Sequence, residues 1–180
     1  MKFYFKLMGM LTFVAFIQAC QSSPGQNDGL VLNYVKDAIN IWIAATPDLN
    51  FYNNQPHAVV LTFYELSQPN IFNQMLESRE GMAQLVTGGE FDKTVLSHRS
   101  VVIQPGEFRQ LLMDRVDGAR YLAVVAGYYD SKLRSNSETY PIQLYKSITF
   151  FWRNMDKNPK MLVNIRLGRS GIVKLRNIRQ

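Results

Sequence analysis

The side chains best equipped for chemistry are few and scattered. His57 and His98 are the only histidines in the chain. His57 follows Pro56 at the start of a strand-like run, and His98 lies inside another. Nothing in their spacing draws the two imidazoles together, so a surface position or a hydrogen-bonded core position is expected for each, and a histidine-based metal cage is not. The chain has one cysteine, Cys20, which rules out an intrachain disulfide and a cysteine-rich zinc module. Asp114 and Asp117 are close in sequence, but Asp117-Gly118 already reads as a turn, and no carboxylate pair stands out for acid–base work. Gly88-Gly89 lacks the surrounding Gly-x-x-x-x-Gly-Lys-Ser/Thr of a phosphate loop. Gly168-Arg169-Ser170-Gly171 lacks the Gly-x-Ser-x-Gly spacing of a nucleophile elbow. The expectation is a protein that is not an enzyme and uses no metal, cofactor or small-molecule substrate.

The setting of Cys20 is more informative. Residues 1–6 hold Lys2 and Lys6 and no acid, and residues 7–17 (LMGMLTFVAFI) carry no charge. A helix of that apolar length rises only about 16 Å, against about 30 Å of bilayer hydrocarbon, so the segment reads as a secretory leader rather than a membrane span. Ile17-Gln18-Ala19-Cys20 resembles the bacterial lipobox, with an aliphatic residue three before the cysteine and a small one directly before it. Gln18 departs from the small residue usual at its place. The resemblance implies cleavage after Ala19, a thioether diacylglycerol on Cys20 and an N-acyl chain such as palmitate on the new amine. Three chains hold firmly, since each buried methylene contributes about 0.8 kcal/mol. Gln21, where an aspartate would signal inner-membrane retention, implies sorting to the outer membrane. A free thiol behind an ordinary signal peptide is the competing reading.

These features divide the chain into a lipoprotein-type signal peptide (residues 1–19), a lipidated tether (20–29) and a folded domain (30–180). Loss of Lys2 and Lys6 with the leader would lower the net charge from +6 to +4. The tether, QSSPGQNDG after the cysteine, has the small polar composition of a flexible linker. With 47% hydrophobic and 19% charged residues, the chain is neither disordered nor fibrous in type.

The domain must position its functional residues mostly with strands. Residues 30–45 alternate Ile39, Ile41 and Ile43 with Asn40, Trp42 and Ala44, a period of two. Residues 58–66 (AVVLTFYEL) are apolar on both faces and predict a central strand. Pro69 opens a short helical stretch carrying Ile71, Phe72, Met75, Leu76, Met82, Leu85 and Val86, broken near Gly81 and ended by Gly88-Gly89. Strands are expected over 94–103, 108–116, 119–129, 147–153, 161–167 and 172–178. A type II turn is expected at Pro105-Gly106, a turn at Asp117-Gly118 and a hairpin turn over 168–171. Residues 130–140 read as a polar loop. The fold class predicted is all-β: an antiparallel sandwich of about eight strands with a short helical insertion.

Charge is uneven. Residues 157–180 hold Lys157, Lys160, Arg166, Arg169, Lys174, Arg176 and Arg179 with no acid. Such a run could face lipid headgroups or an acidic protein patch. It could also be solvated strand positions alternating with Leu162, Ile165, Val173 and Leu175. A secreted address argues against nucleic acid.

Several runs then coincide in order behind the lipobox. They are residues 57–66 ending in Tyr64-Glu65-Leu66, Phe72 in the following helix, Pro105-Gly106 after Val101 and Val102, and Tyr121-Leu122-Ala123-Val124-Val125-Ala126 before Asp130. This set resembles the TssJ/VasD-like outer-membrane lipoproteins of type VI secretion systems over about residues 30–130. The resemblance implies a transthyretin-like β-sandwich anchored by lipid in the inner leaflet of the outer membrane and facing the periplasm. It also implies docking, in multiple copies within a larger complex, onto the periplasmic part of a TssM-like inner-membrane protein. The family's partner loop lies between the first two strands and maps onto Thr46, Pro47, Asp48, Leu49, Asn50, Phe51 and Tyr52, whose aromatics suit interface anchors. Leu49 and Phe51 could instead tuck back onto the sandwich. The alternative function is a lipid-anchored binding module of another envelope machine, pilotin-like or glycan-binding.

Overall fold

The computed structural model describes residues 33–129, 136–143 and 161–178, with backbone alone over 174–178. Cys20 and the leader and tether expected over residues 1–29 lie outside these residues, as do the strand expected over 147–153, Asp130, Lys157, Lys160 and Arg179. The described chain runs β1 (Val35–Ala45), β2 (Val59–Leu66), α1 (Asn70–Met75), α2 (Arg79–Thr87), β3 (Val95–Ile103), β4 (Phe108–Arg115), β5 (Tyr121–Ala126), β6 (Ser137–Pro141), β7 (Met161–Leu167) and β8 (Ile172–Ile178).

Two four-stranded sheets stack face to face, in the orders β4-β1-β7-β8 and β3-β2-β5-β6. All pairings are antiparallel except β1 with β7, which is parallel. A parallel neighbour needs a long crossover, and the whole of β2 to β6 supplies it here. The alternation of β1 is realised: Ile39, Ile41 and Ile43 are fully buried between the sheets. Val59, Leu61 and Phe63 of β2 and Leu122, Val124 and Ala126 of β5 meet them from the other sheet.

The second face of β2 and β5 is buried too, under the helices. Tyr64, Leu66, Ala123 and Val125 form a smaller core with Phe72, Leu76, Met82 and Leu85. The Tyr64 hydroxyl donates to the Leu85 carbonyl at 2.7 Å, and Thr62 Oγ1 to that of Val86 at 2.9 Å. These two bonds satisfy the polar atoms that the double burial would otherwise strand. That is why β2 and β5 read as apolar on both faces and occupy the centre of their sheet.

Three expectations are corrected. The helical break falls between Met75 and Arg79, not at Gly81. Ser78 caps α2 by accepting from the Gly81 amide at 2.9 Å. Gly81 is needed because a Cβ there would come within 2.2 Å of the Met75 carbonyl oxygen. Residues 137–140, expected in the 130–140 loop, form β6 (Ser137–Pro141) on the edge beside β5. Its polar Ser137, Glu138 and Thr139 suit a half-solvated edge, and Pro141 sits at its end. Leu162 and Val173 do not point inward: Met161, Val163, Ile165 and Leu167 do, while Val173 is 63% exposed. The Gly106 and Gly118 turns form as predicted, with φ of +74° and +77°.

Candidate functional site

β1 runs the length of the sandwich and delivers residues 46–57 to one pole. The loop is stitched down by its backbone. The Thr46 amide donates to the Leu167 carbonyl (2.9 Å), that of Phe51 to Arg169 (3.0 Å), and that of His57 back to Leu49 (3.0 Å). The Gly106 amide in turn donates to the Thr46 carbonyl at 3.1 Å. Tyr52 and Gln55 exchange backbone bonds across Asn53 and Asn54, whose φ values of +48° and +61° make a tight tip that asparagine tolerates.

The seven residues singled out from sequence divide into a buried set and a presented set. Leu49 is fully buried in the inter-sheet core and Asn50 is nearly so. Asn50 has φ +46°; its Nδ2 donates to the Ala58 carbonyl at 3.2 Å, and its Oδ1 accepts from the Tyr129 amide at 2.9 Å. Both position the loop and neither is offered to a partner. Thr46 and Phe51 are half-buried, and Pro47 and Tyr52 are exposed. The Arg169 guanidinium lies 3.7 Å over the Phe51 ring and 3.7 Å from Asp48 Oδ2, joining the loop to the β7–β8 turn. Arg169 is the one member of the basic run whose side chain the described residues tie to the loop.

Tyr129, beyond β5, completes the surface and was not singled out from sequence. It is 65% exposed and stacks on Tyr52 with ring centroids 5.2 Å apart and planes at 20°. His57 meets Tyr129 edge-on at 5.2 Å. The signal available was the Tyr128-Tyr129 pair at the end of an apolar strand; only the fold places it against residue 52, through Asn50. Tyr128 turns inward and donates to the Gly171 carbonyl at 3.0 Å, and burial pushes its phenol well above the usual range. A groove of about 670 Å³ opens beside Tyr129 between α2 and the ends of β2 and β5, lined by Val60, Met82, Val86 and Gly127, with Arg79 as its charged residue.

The two histidines stay apart: His57 joins the Tyr52–Tyr129 cluster and His98 packs by Tyr64 at 6.1 Å. Among the described residues no cluster of histidine, cysteine or carboxylate could hold a metal, and no helix is long and apolar enough to cross a membrane. The arrangement offers stacking, apolar contact and hydrogen bonds, and it contains no nucleophile–base pair.

The class that the described residues define is a two-sheet β-sandwich that presents a backbone-tied aromatic loop at one pole. The family model of the type VI secretion lipoproteins (VasD, EvfM, TssJ) matches residues 37–169, and the chain belongs to that family. The family is a membrane-bound structural component of the secretion system rather than an enzyme family. Among solved structures, the T6SS lipoprotein TssJ1 from Pseudomonas aeruginosa is similar at 21% identity and TM-score 0.54, covering 82% of this chain and 98% of that one. Serratia marcescens Lip, a membrane-bound component of the type VI secretion system, is similar at 19% identity and TM-score 0.58, covering 79% and 97%. A structure of the T6SS protein TssM C-terminal domain from EAEC matches at 16% identity and TM-score 0.52, covering 79% and 98%. These likenesses support the sandwich fold. Among curated protein sequences no significant match is found.

Proposed function

We propose that this chain is an outer-membrane-anchored lipoprotein of a type VI secretion membrane complex. In this reading Cys20 carries the acyl chains in the inner leaflet, and the sandwich faces the periplasm. Residues 46–57 with Tyr129 dock the periplasmic part of a TssM-like inner-membrane component. The observation that carries the reading is the presented pair Tyr52, on a loop whose backbone is already bonded down, and Tyr129, stacked against it at 5.2 Å from beyond β5. A pre-ordered aromatic anchor loses little conformational entropy on binding. Repeated copies confined to one membrane would raise the effective concentration of each contact.

The test replaces the attachment point. Cys20→Ser should leave an unlipidated periplasmic protein and abolish assembly of the secretion complex. Normal secretion in that variant would contradict the reading. Capture of the partner from detergent extracts should return a large inner-membrane protein. Recovery of a glycan or a small ligand would favour the alternative of a lipid-anchored binding module.

A further inference from the structure

The opposite pole, where β1 begins, is built from different chemistry. Asn33 and Tyr34 lie ahead of β1, yet four side-chain bonds hold the start of the chain down. The Tyr34 amide donates to Asp117 Oδ1. Its hydroxyl donates to Asp114 Oδ2 at 2.6 Å, and the Asp37 amide donates to Asp114 Oδ1 at 2.9 Å. Arg115 Nη1 donates to the Asn33 carbonyl at 3.2 Å. Arg115 is fully buried, and its Nε and Nη2 grip the Ala119 carbonyl at 3.0 and 2.6 Å. One guanidinium thus ties the arm to both sides of the β4–β5 turn.

The ladder does not explain this. The register of β1 on β4 shifts between Val35 and Ile39, and Asp37 sits there at φ +53°. That is the left-handed region, uncommon for a residue other than glycine within a strand though more accessible to aspartate than to most, and here Asp114 pins its amide. Continuous pairing to β7 begins only at Ile39. The bonds to Asp114, Arg115 and Asp117 therefore extend the anchored chain back to Asn33.

We propose that the Asp114–Asp117 turn is the dock of the N-terminal arm, and that it fixes the membrane-proximal pole of the sandwich opposite residues 46–57. This rests on Cys20 being the lipid attachment and says nothing about the partner's identity. From Cys20 to Asn33 the chain spans at most about 45 Å. β1 then carries the axis a further ~35 Å to Ala45. If the arm frayed to Ile39, the tether would lengthen by about 20 Å and the loop pole could swing back toward the bilayer.

The experiment uses the full lipidated chain in phosphatidylethanolamine–phosphatidylglycerol vesicles carrying a headgroup quencher. A fluorophore is attached through Asn53→Cys at the loop tip or Arg120→Cys near the turn, both exposed positions. Quenching should be several-fold stronger at 120 than at 53. In Asp114→Ala/Asp117→Ala the contrast should fall at least twofold, and the Tyr34 and Asp37 amides should lose hydrogen-exchange protection while those of Phe51 and His57 keep it. Retained loop protection shows that the variant is folded, and Tyr34→Phe provides a milder variant that should lose part of the contrast. Equal quenching at the two positions in the parent, or unchanged arm protection in the double variant, would overturn the proposal. A chain that fails to bind vesicles would sink the lipid reading instead, and the exchange measurement would still decide the clamp.

Discussion

The two poles of the sandwich are closed by opposite means. At the arm pole, side chains do the tying: Asp114, Arg115 and Asp117 spend their polar atoms on the backbone of residues 33–37, on the Tyr34 hydroxyl and on the Ala119 carbonyl. At the loop pole most ties run backbone to backbone, with Asn50 and Arg169 adding side-chain ties, and Tyr52, Asn53, Asn54 and Tyr129 keep exposed side chains. The difference teaches which end is free to recognise something. A buried guanidinium committed to internal carbonyls, as Arg115 is, is costly to remove, and carboxylates already accepting from the arm have less left for a partner. Aromatic rings on a pre-bonded loop are cheap to truncate and available for contact.

Two arginines sharpen the contrast most. Arg115 is buried, and Glu65 from the facing sheet, 1% exposed, adds to the same turn by accepting the Val116 amide at 2.8 Å. Arg115→Ala should cost about 3–5 kcal/mol, because it leaves buried acceptors and a nearby carboxylate uncompensated. Arg169→Ala should cost no more than about 1 kcal/mol, since its partners Phe51 and Asp48 are near the surface. Urea unfolding of both variants checks this; similar losses would erase the distinction between the poles.

A pH effect of similar or smaller size is expected at the arm pole. Burial raises the Glu65 carboxyl from its usual value to about 7, against the lowering effects of the Val116 amide and Arg115. With a folded value above the unfolded one, the native state binds the extra proton between about pH 4.5 and 7. Stability from this group is therefore full at the acidic end and lost as pH rises through 7, by up to ~3 kcal/mol. The shifts of Asp114, lowered mainly by the Tyr34 hydroxyl, act below this window. Denaturant midpoints from pH 5 to 8 should fall in the parent and stay nearly level in Glu65→Gln. A level parent would show that Glu65 stays charged.

Much of this was readable in one dimension where periodicity carried the information. β1 with its three isoleucines, the doubly apolar β2 and β5, and the glycine turns at 106 and 118 follow from local pattern. β6 did not, because an edge strand with Ser137, Glu138 and Thr139 owes its state to β5 rather than to its own composition. The loop was located between the right strands, but its division was not legible. Leu49 and Phe51 look alike in sequence, and only the facing core decides that Leu49 is fully buried while Phe51 lies half-exposed under Arg169. Asp117 was read as turn chemistry, which it is, yet its second task depends on Tyr34, eighty-three residues away. The same holds for Tyr129, which reaches Tyr52 through Asn50.

The loop pole's role rests on two exposed rings. The direct measurement is a binding titration of the purified sandwich domain against the periplasmic part of the proposed TssM-like partner, with Tyr52→Ala and Tyr129→Ala beside the parent. Each variant should keep its unfolding midpoint and weaken binding by about thirtyfold or more, the scale of a 2 kcal/mol anchor. Parent-like affinity in the double variant would contradict the assignment of this pole as the docking surface.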